Sequence, residues 1–207
     1  PVAISVLLAA VTMQTAYGTW HYRRHVPWRA TIEMTLSRYL TLPLGIYALT
    51  FLADAGRDRA KQMLGIVLLS VVLVRLVVRV RPQEHLHPGW TPLAGTLSGF
   101  MAGAFGMGGP PLVLWAMAHD WPSRKSRAFL WSTFLLVIPL QLGLLAFAFS
   151  WPAVNAFGIG LALSPLIIIA AMVGGWLGDL LDRHRLRIIA FSFLVLIAVS
   201  AIMAPLI

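Results

Sequence analysis

The chain has 207 residues, of which 59% are hydrophobic and 11% are charged, and it contains no cysteine. This composition is typical of a polytopic membrane protein, because a soluble domain does not need several apolar runs of about 20 residues. The lack of cysteine excludes a disulfide framework, a thiolate metal site and a cysteine nucleophile. The net charge of +9 does not indicate nucleic-acid binding, because basic residues at the ends of membrane helices act as topology signals.

Hydrophobic length and helix breakers predict six membrane spans, which cover residues 1–20, 30–53, 61–80, 127–150, 153–180 and 188–205. The connections between them are short and mostly charged, and no low-complexity linker divides the chain. We therefore predict one multi-pass domain in the cytoplasmic membrane. The first residues are apolar and lack a charged leader or cleavage site, which indicates a fragment or a processed chain rather than a signal peptide.

The segment GFMAGAFGMGGPPLVLWAMAHDWP, residues 99–122, has two adjacent prolines near its middle. A single spanning helix would place both prolines in its interior, where each removes a backbone donor and clashes with the preceding turn. Two half-helices over 92–105 and 110–118 would rise about 21 Å and about 14 Å, against a hydrocarbon core of about 30 Å. The second arm cannot cross alone, so we predict a re-entrant hairpin over 91–119 that turns at GMGGPP.

The basic residues favour this hairpin over a spanning helix. If the segment spans, the basic residues of the loops divide five to nine between the two sides of the membrane, and if it is a hairpin they divide eleven to three. The second division is the stronger positive-inside pattern. It predicts one cytoplasmic side for the loops that carry Arg23, Arg124 and Arg183, with Arg57 and Trp151 on the opposite side.

A weak internal repeat supports the same arrangement. A shift of 125 residues aligns the three spans of 1–80 with the three spans of 126–205. With the hairpin, the two halves have opposite orientations, as in the inverted repeats of many secondary transporters. We predict an all-α membrane protein with a first repeat of three transmembrane helices, 1–80, and a second repeat of a re-entrant hairpin and three transmembrane helices, 91–207. The matching first hairpin is expected to be missing from this chain.

The turn GMGGPP is the first candidate site, because unpaired backbone at membrane depth is tolerated where it lines a polar site or pathway. Gly106, Gly108 and Gly109 allow a tight turn and a close approach of a ligand, and Pro110 and Pro111 suit the first turn of the second arm. Free amide groups and the positive end of that arm's dipole would bind an anion there. The alternative is a glycine-rich crossing for close helix packing, which explains the glycines but not the paired prolines.

The stretch GTLSGFMAGAFGMGGPPLVLWAMAHDWPSRKSRA, residues 95–128, resembles the second-repeat signature of the sulfite exporter TauE/SafE family of membrane permeases. The resemblance implies two inverted repeats, each with a hairpin and three spans. It also implies export of sulfite, sulfonates or related small anions, for which we predict alternating access. By position, the signature residues are Gly99, Gly103, Gly106, Gly108, Gly109, Pro110 and Pro111.

Four polar side chains outside the turn are further candidates for the substrate site. Gln14 and Gln141 lie well inside the first spans of the two repeats, where an amide must be paired or hydrated, so each contacts the anion or bonds a neighbouring helix. Ser98 either joins the site or bonds its own helix backbone. Arg38 either faces the pathway as a fixed positive charge or snorkels to the basic side with Glu33 as a partner, and we favour snorkelling.

Other classes of function fit less well. The motif LSGF at 97–100 is similar to a motif of intramembrane serine hydrolases, but no histidine is predicted at mid-membrane to act as a base. We therefore expect that this protein is not an enzyme. His85 and His87 form an H-x-H without a third ligand, and we expect neither a metal nor a cofactor.

Coupling to a proton or sodium ion and a homo-oligomer are both compatible with the sequence. The main alternative is a non-transporting membrane scaffold or sensor subunit with the same fold. Four tryptophans are interpreted as interfacial anchors, namely Trp90, Trp121, Trp131 and Trp151.

Overall fold

The computed structural model describes residues 2–54 and 86–166, and in addition 56, 62, 63, 65–67, 69, 70, 83 and 169. The predicted span over 188–205 lies outside these residues, as do most of 61–80 and the second half of 153–180. Contacts divide the chain into two compact units, residues 1–50 with 80–164 and residues 51–79 with 165–207. The first unit holds nearly all of the described residues.

The described chain is helical apart from an isolated bridge between Gln83 and His119. Its helices are α1 (Val2–His21), α2 (Trp28–Asp54), α3 (Trp90–Phe105), α4 (Gly109–Met117), α5 (Ser123–Phe149) and α6 (Trp151–Ala162). The predicted spans over 1–20, 30–53 and 127–150 correspond to α1, α2 and α5. Among the described residues, α2 and α5 are long and apolar enough to cross a membrane. The all-α prediction is confirmed for the described residues, while the inverted repeat and its division at residues 80 and 91 stay predictions.

Helix α2 has an apolar outer face and an inner face on which polar and apolar side chains are mixed. Leu36, Leu40 and Leu44 are all more than half exposed, as expected for side chains that meet lipid. Thr31 and Arg38 lie on the opposite side of the helix and are buried, because residues two apart point about 200° away from each other at 3.6 residues per turn. The inner face of α2 therefore brings polar groups into the bundle.

Helices α3 and α4 form an antiparallel hairpin. At its turn, a Cβ placed on Gly108 would lie 2.9 Å from the Cβ of Ala102, and at its open end Ala94 packs against the cluster that contains Trp115 and Ala116. The arms have 16 and 9 residues and rise about 24 Å and about 14 Å. Both predicted arms are present to within two residues. Entry of the hairpin into the membrane and its return to the same side remain a prediction.

The first arm packs directly against the backbone of α2. A Cβ on Gly99 would lie 2.5 Å from Thr41 Oγ1, and a Cβ on Gly103 would lie 2.5 Å from the carbonyl oxygen of Leu42. Thr41 Oγ1 also donates a hydrogen bond of 2.6 Å to the carbonyl oxygen of Thr96. Close helix packing therefore explains Gly99 and Gly103, as small residues do at membrane helix crossings. It also brings the inner face of α2 next to the hairpin turn.

Helices α2 and α5 run parallel. Near their beginnings, Thr31 Oγ1 lies 3.4 Å from Ser132 Oγ. Further along both helices, the hydroxyl of Tyr39 donates a 2.6 Å hydrogen bond to the carbonyl oxygen of Leu136. Both helices therefore begin at the same end of the bundle.

Helix α1 runs antiparallel to α5. Gly18, near the end of α1, lies against Trp131, near the beginning of α5, whereas Leu8 belongs to the same buried cluster as Leu145. The 3₁₀ turn Arg23–His25 that follows α1 also contacts α5. The basic residues of the turn and those at the beginning of α5 thus share one end of the bundle, as the positive-inside pattern predicts.

This arrangement can be tested by labelling single cysteines, since the chain has none of its own. In vesicles, Arg23→Cys and Arg124→Cys should react with a membrane-impermeant maleimide from the same side. Trp151→Cys, an exposed position at the far end of α5, should react from the other side. Labelling of Arg23→Cys and Arg124→Cys from opposite sides would mean that the hairpin spans the membrane. The predicted positions Arg57 and Arg183 lie outside the described residues.

Candidate functional site

A cavity of about 320 Å³ lies between α1, α2, α5 and the hairpin turn. Its lining on α5 extends from Trp131 to Gln141, a rise of about 15 Å at 1.5 Å per residue. Its polar lining consists of the hairpin turn and four side chains, namely Gly106, Met107, Gly108, Gly109, Gln14, Thr15, Arg38 and Gln141. All predicted site residues except Ser98, Pro110 and Pro111 therefore line the same cavity.

The hairpin turn depends on its glycines for two different reasons. Gly106 ends α3 in the left-handed conformation with φ 71°, and its amide donates to the carbonyl oxygen of Ala102 at 3.0 Å. Gly108 has an ordinary φ of −81°, but a Cβ there would lie 2.8 Å from the carbonyl oxygen of Ser98 and 2.9 Å from Arg38 Nη2. Gly106 is thus required for conformation, and Gly108 is required for space.

The second arm begins as the sequence predicts. Helix α4 starts at Gly109, and Pro110 and Pro111 occupy its first turn, where a missing amide leaves no bond unmade. In the part of the chain that the structure describes, the amides of Gly108 and Gly109 have no hydrogen-bond partner. Both residues line the cavity, so free donors and the positive end of the α4 dipole meet there.

Arg38 is buried beside this turn, with 1% of its surface exposed. Its Nη1 donates a 3.2 Å hydrogen bond to the carbonyl oxygen of Thr133, its Cζ lies 5.2 Å from the centre of the Phe134 ring, and its Nε has no partner among the described atoms. Glu33 instead pairs with Arg29 at 3.1 Å. The snorkelling interpretation is therefore wrong, because Arg38 lies on the inner face of α2 and not on its lipid face.

The charge in this cavity is unbalanced. Of the described residues that line it, Arg38 is the one ionisable side chain, and none is acidic. A buried cation is costly unless a counter-charge or several acceptors surround it, and here a single carbonyl oxygen accepts from the guanidinium. Together with the free amides of Gly108 and Gly109, this makes the cavity suited to an anion.

Two of the remaining candidate residues, Gln141 and Ser98, form hydrogen bonds that stabilise the fold. Gln141 Nε2 donates a 2.9 Å hydrogen bond to the carbonyl oxygen of Ala102, so this amide bonds a neighbouring helix while the residue lines the cavity. Gln14 is exposed at the cavity. Ser98 Oγ donates to the carbonyl oxygen of Gly108 across the hairpin. The sequence predicts that Ser98 joins the substrate site, with a bond to its own helix as the alternative. It lies outside the described cavity lining and stabilises the turn instead.

Sequence reasoning missed the wall that α5 contributes. Trp131, interpreted as an interfacial anchor, lines the cavity and packs on Gly18. Phe134 and Ile138 line the same wall, together with Gln141. These four residues are spaced by three, four and three positions, so they share one face of a helix. This spacing, which includes the polar Gln141, could have predicted from the sequence that the face lines a cavity.

Comparison with known proteins points to one family. The sequence matches the family described as sulfite exporter TauE/SafE over residues 1–201. It is also similar to the probable sulfite/organosulfonate exporter TauE of Cupriavidus necator, with 22% identity over 177 residues that cover 86% of this chain and 69% of the relative. No solved structure matches the chain.

Proposed function

The chain belongs to the sulfite exporter TauE/SafE family, and we propose that it exports sulfite or a related small sulfur-containing anion across the cytoplasmic membrane by alternating access. The observation that carries this proposal is the buried guanidinium of Arg38 beside the free amides of Gly108 and Gly109, in a cavity whose described lining has no acidic residue. These groups are all donors, so they select an anion and disfavour a cation.

The substrate oxygens would accept hydrogen bonds from these groups. Arg38 lines the cavity and supplies a charge-assisted donor through its guanidinium, and the two glycine amides supply neutral donors at the end of the α4 dipole. The low dielectric of a membrane interior strengthens these interactions. Bound anion would also neutralise the buried guanidinium, because the described cavity lining supplies no counter-charge.

Alternating access fits the relation between the two predicted repeats. Under the shift of 125 residues, α1 corresponds to most of α5. These helices run antiparallel, as required by a two-fold axis in the membrane plane. Substrate at the interface of two such repeats can be exposed to each side in turn when one repeat rocks against the other.

Flux through the full-length protein in proteoliposomes tests the proposal. Sulfite loaded into the vesicles should leave faster than from protein-free vesicles, with a rate that saturates as its concentration rises, while trapped glucose should be retained. A non-transporting scaffold or sensor would bind sulfite without moving it. Retention of sulfite by correctly inserted, monodisperse protein would therefore contradict the permease and favour that alternative.

A further inference from the structure

The cavity is much longer than a bare oxyanion. Its α5 wall rises about 15 Å, and Arg38 meets this wall near its Trp131 end, at Thr133 and Phe134. Most of the remaining lining is apolar, and it includes Leu7, Leu8 and Val11 of α1 and Trp131, Phe134 and Val137 of α5. A sulfite ion held by Arg38 would leave these apolar surfaces without a partner.

The charge of the described cavity lining matches a ligand with one negative charge. The described lining offers a single cation, Arg38, and no carboxylate. A ligand with a second negative charge would bury it without a cationic partner, and a ligand with an ammonium group would bury that cation without an anionic partner. Both arrangements are costly in a cavity of low polarity.

We propose that the cavity binds organosulfonates with a single negative charge and an uncharged, apolar tail in preference to sulfite and to sulfonates that carry a second charge. The sulfonate occupies the position beside Arg38, Gly108 and Gly109, and the tail lies along the apolar walls of α1 and α5. This inference rests on the proposed function, because it names the substrate class of the same site.

Three sulfonates of nearly equal size separate charge from shape: ethanesulfonate, taurine with its ammonium group, and sulfoacetate with its carboxylate. Their Kd values for the purified full-length protein can be measured by isothermal titration calorimetry. Ethanesulfonate should bind more tightly than either charged analogue by about tenfold or more. Lengthening the tail from methanesulfonate to butanesulfonate should tighten binding about fourfold per methylene, which is the gain expected from burying each CH₂.

A pair of isosteric variants tests the position of the tail. Val11 lines the cavity from α1, and Val11→Asp would place a carboxylate where the tail is expected. This variant should raise the affinity for taurine relative to ethanesulfonate by about tenfold. Val11→Asn has the same shape without the charge and should not shift this ratio.

The outcomes separate this inference from the function on which it rests. Tighter binding of taurine, sulfoacetate or sulfite than of ethanesulfonate would overturn the inference, while saturable sulfite flux would still support the permease. An unchanged ratio for Val11→Asp would place the tail elsewhere and overturn the proposed tail site. If none of the anions is bound or transported by inserted, monodisperse protein, both the inference and the proposed function fail.

Discussion

Arg38→Gln should lower the rate of sulfite transport in proteoliposomes about 100-fold, which corresponds to about 2.7 kcal/mol. The guanidinium is the one charged group among the described residues that line the cavity, so its removal leaves the anion with neutral donors alone. Arg38→Lys keeps the charge but loses the planar array of donors that reaches both Thr133 and the cavity. The transport rate of Arg38→Lys should therefore lie between those of the parent and Arg38→Gln, about tenfold below the parent.

Measurements of thermal stability distinguish a binding role of Arg38 from a structural role. A buried cation with few acceptors destabilises a protein, so if Arg38 serves binding, Arg38→Gln should leave the Tm of the ligand-free protein unchanged or raise it. The stabilisation that added sulfite gives the parent should disappear in this variant, because ligand that no longer binds cannot shift the unfolding equilibrium. Arg29→Gln, at an exposed position of the same helix, should retain both transport and the ligand response. A lower Tm with an intact ligand response would assign Arg38 to structure instead of binding.

The local features of the fold were predictable because each has a strong chemical signal. Single prolines lie inside α2 at Pro43 and inside α5 at Pro139, but two adjacent prolines strongly disfavour a continuous helix. The break between α3 and α4 falls directly before Pro110 and Pro111, which occupy the first turn of α4. Glycine is the residue that most often ends a helix in a left-handed conformation, and Gly106 ends α3 in this way with φ 71°. Helix length and the charged loops fixed α1, α2 and α5 to within a few residues.

The site was less predictable, because its charge depends on packing between distant segments. Whether Arg38 snorkels or turns inward depends on which face of α2 meets lipid. The exposed leucines at 36, 40 and 44 mark that face and place Arg38 opposite to them. Its proximity to Gly108 depends on the crossing of α2 and α3 at Gly99 and Gly103, and sequence spacing cannot give such a contact. The wall formed by Trp131 and Phe134 likewise requires the relative rotation of α5.

Gly108→Ala should lower sulfite transport strongly, by about tenfold or more, although alanine is accepted by the backbone conformation at this position. The added methyl would lie 2.8 Å from the carbonyl oxygen of Ser98 and 2.9 Å from both Ala102 Cβ and Arg38 Nη2. Two of these neighbours are backbone or packed atoms of α3, so Arg38 or the turn must move. Displacement of about 1 Å in a positioned binding group is enough to cost about 100-fold in rate. The measurement is sulfite flux in proteoliposomes, normalised to inserted, monodisperse protein.

Gly143→Ala is the matched control, because a Cβ at this exposed position of α5 has no neighbour within 4 Å. It should transport at the parental rate, and alanine should slightly stabilise the helix. Gly108→Leu should abolish transport, since the larger side chain cannot share the turn with Ser98 and Arg38. If Gly108→Ala and Gly108→Leu both transport sulfite at the parental rate, the amides of Gly108 and Gly109 do not bind the anion. The turn would then be a packing crossing like the one at Gly99 and Gly103, and Arg38 would have to bind the substrate from another side.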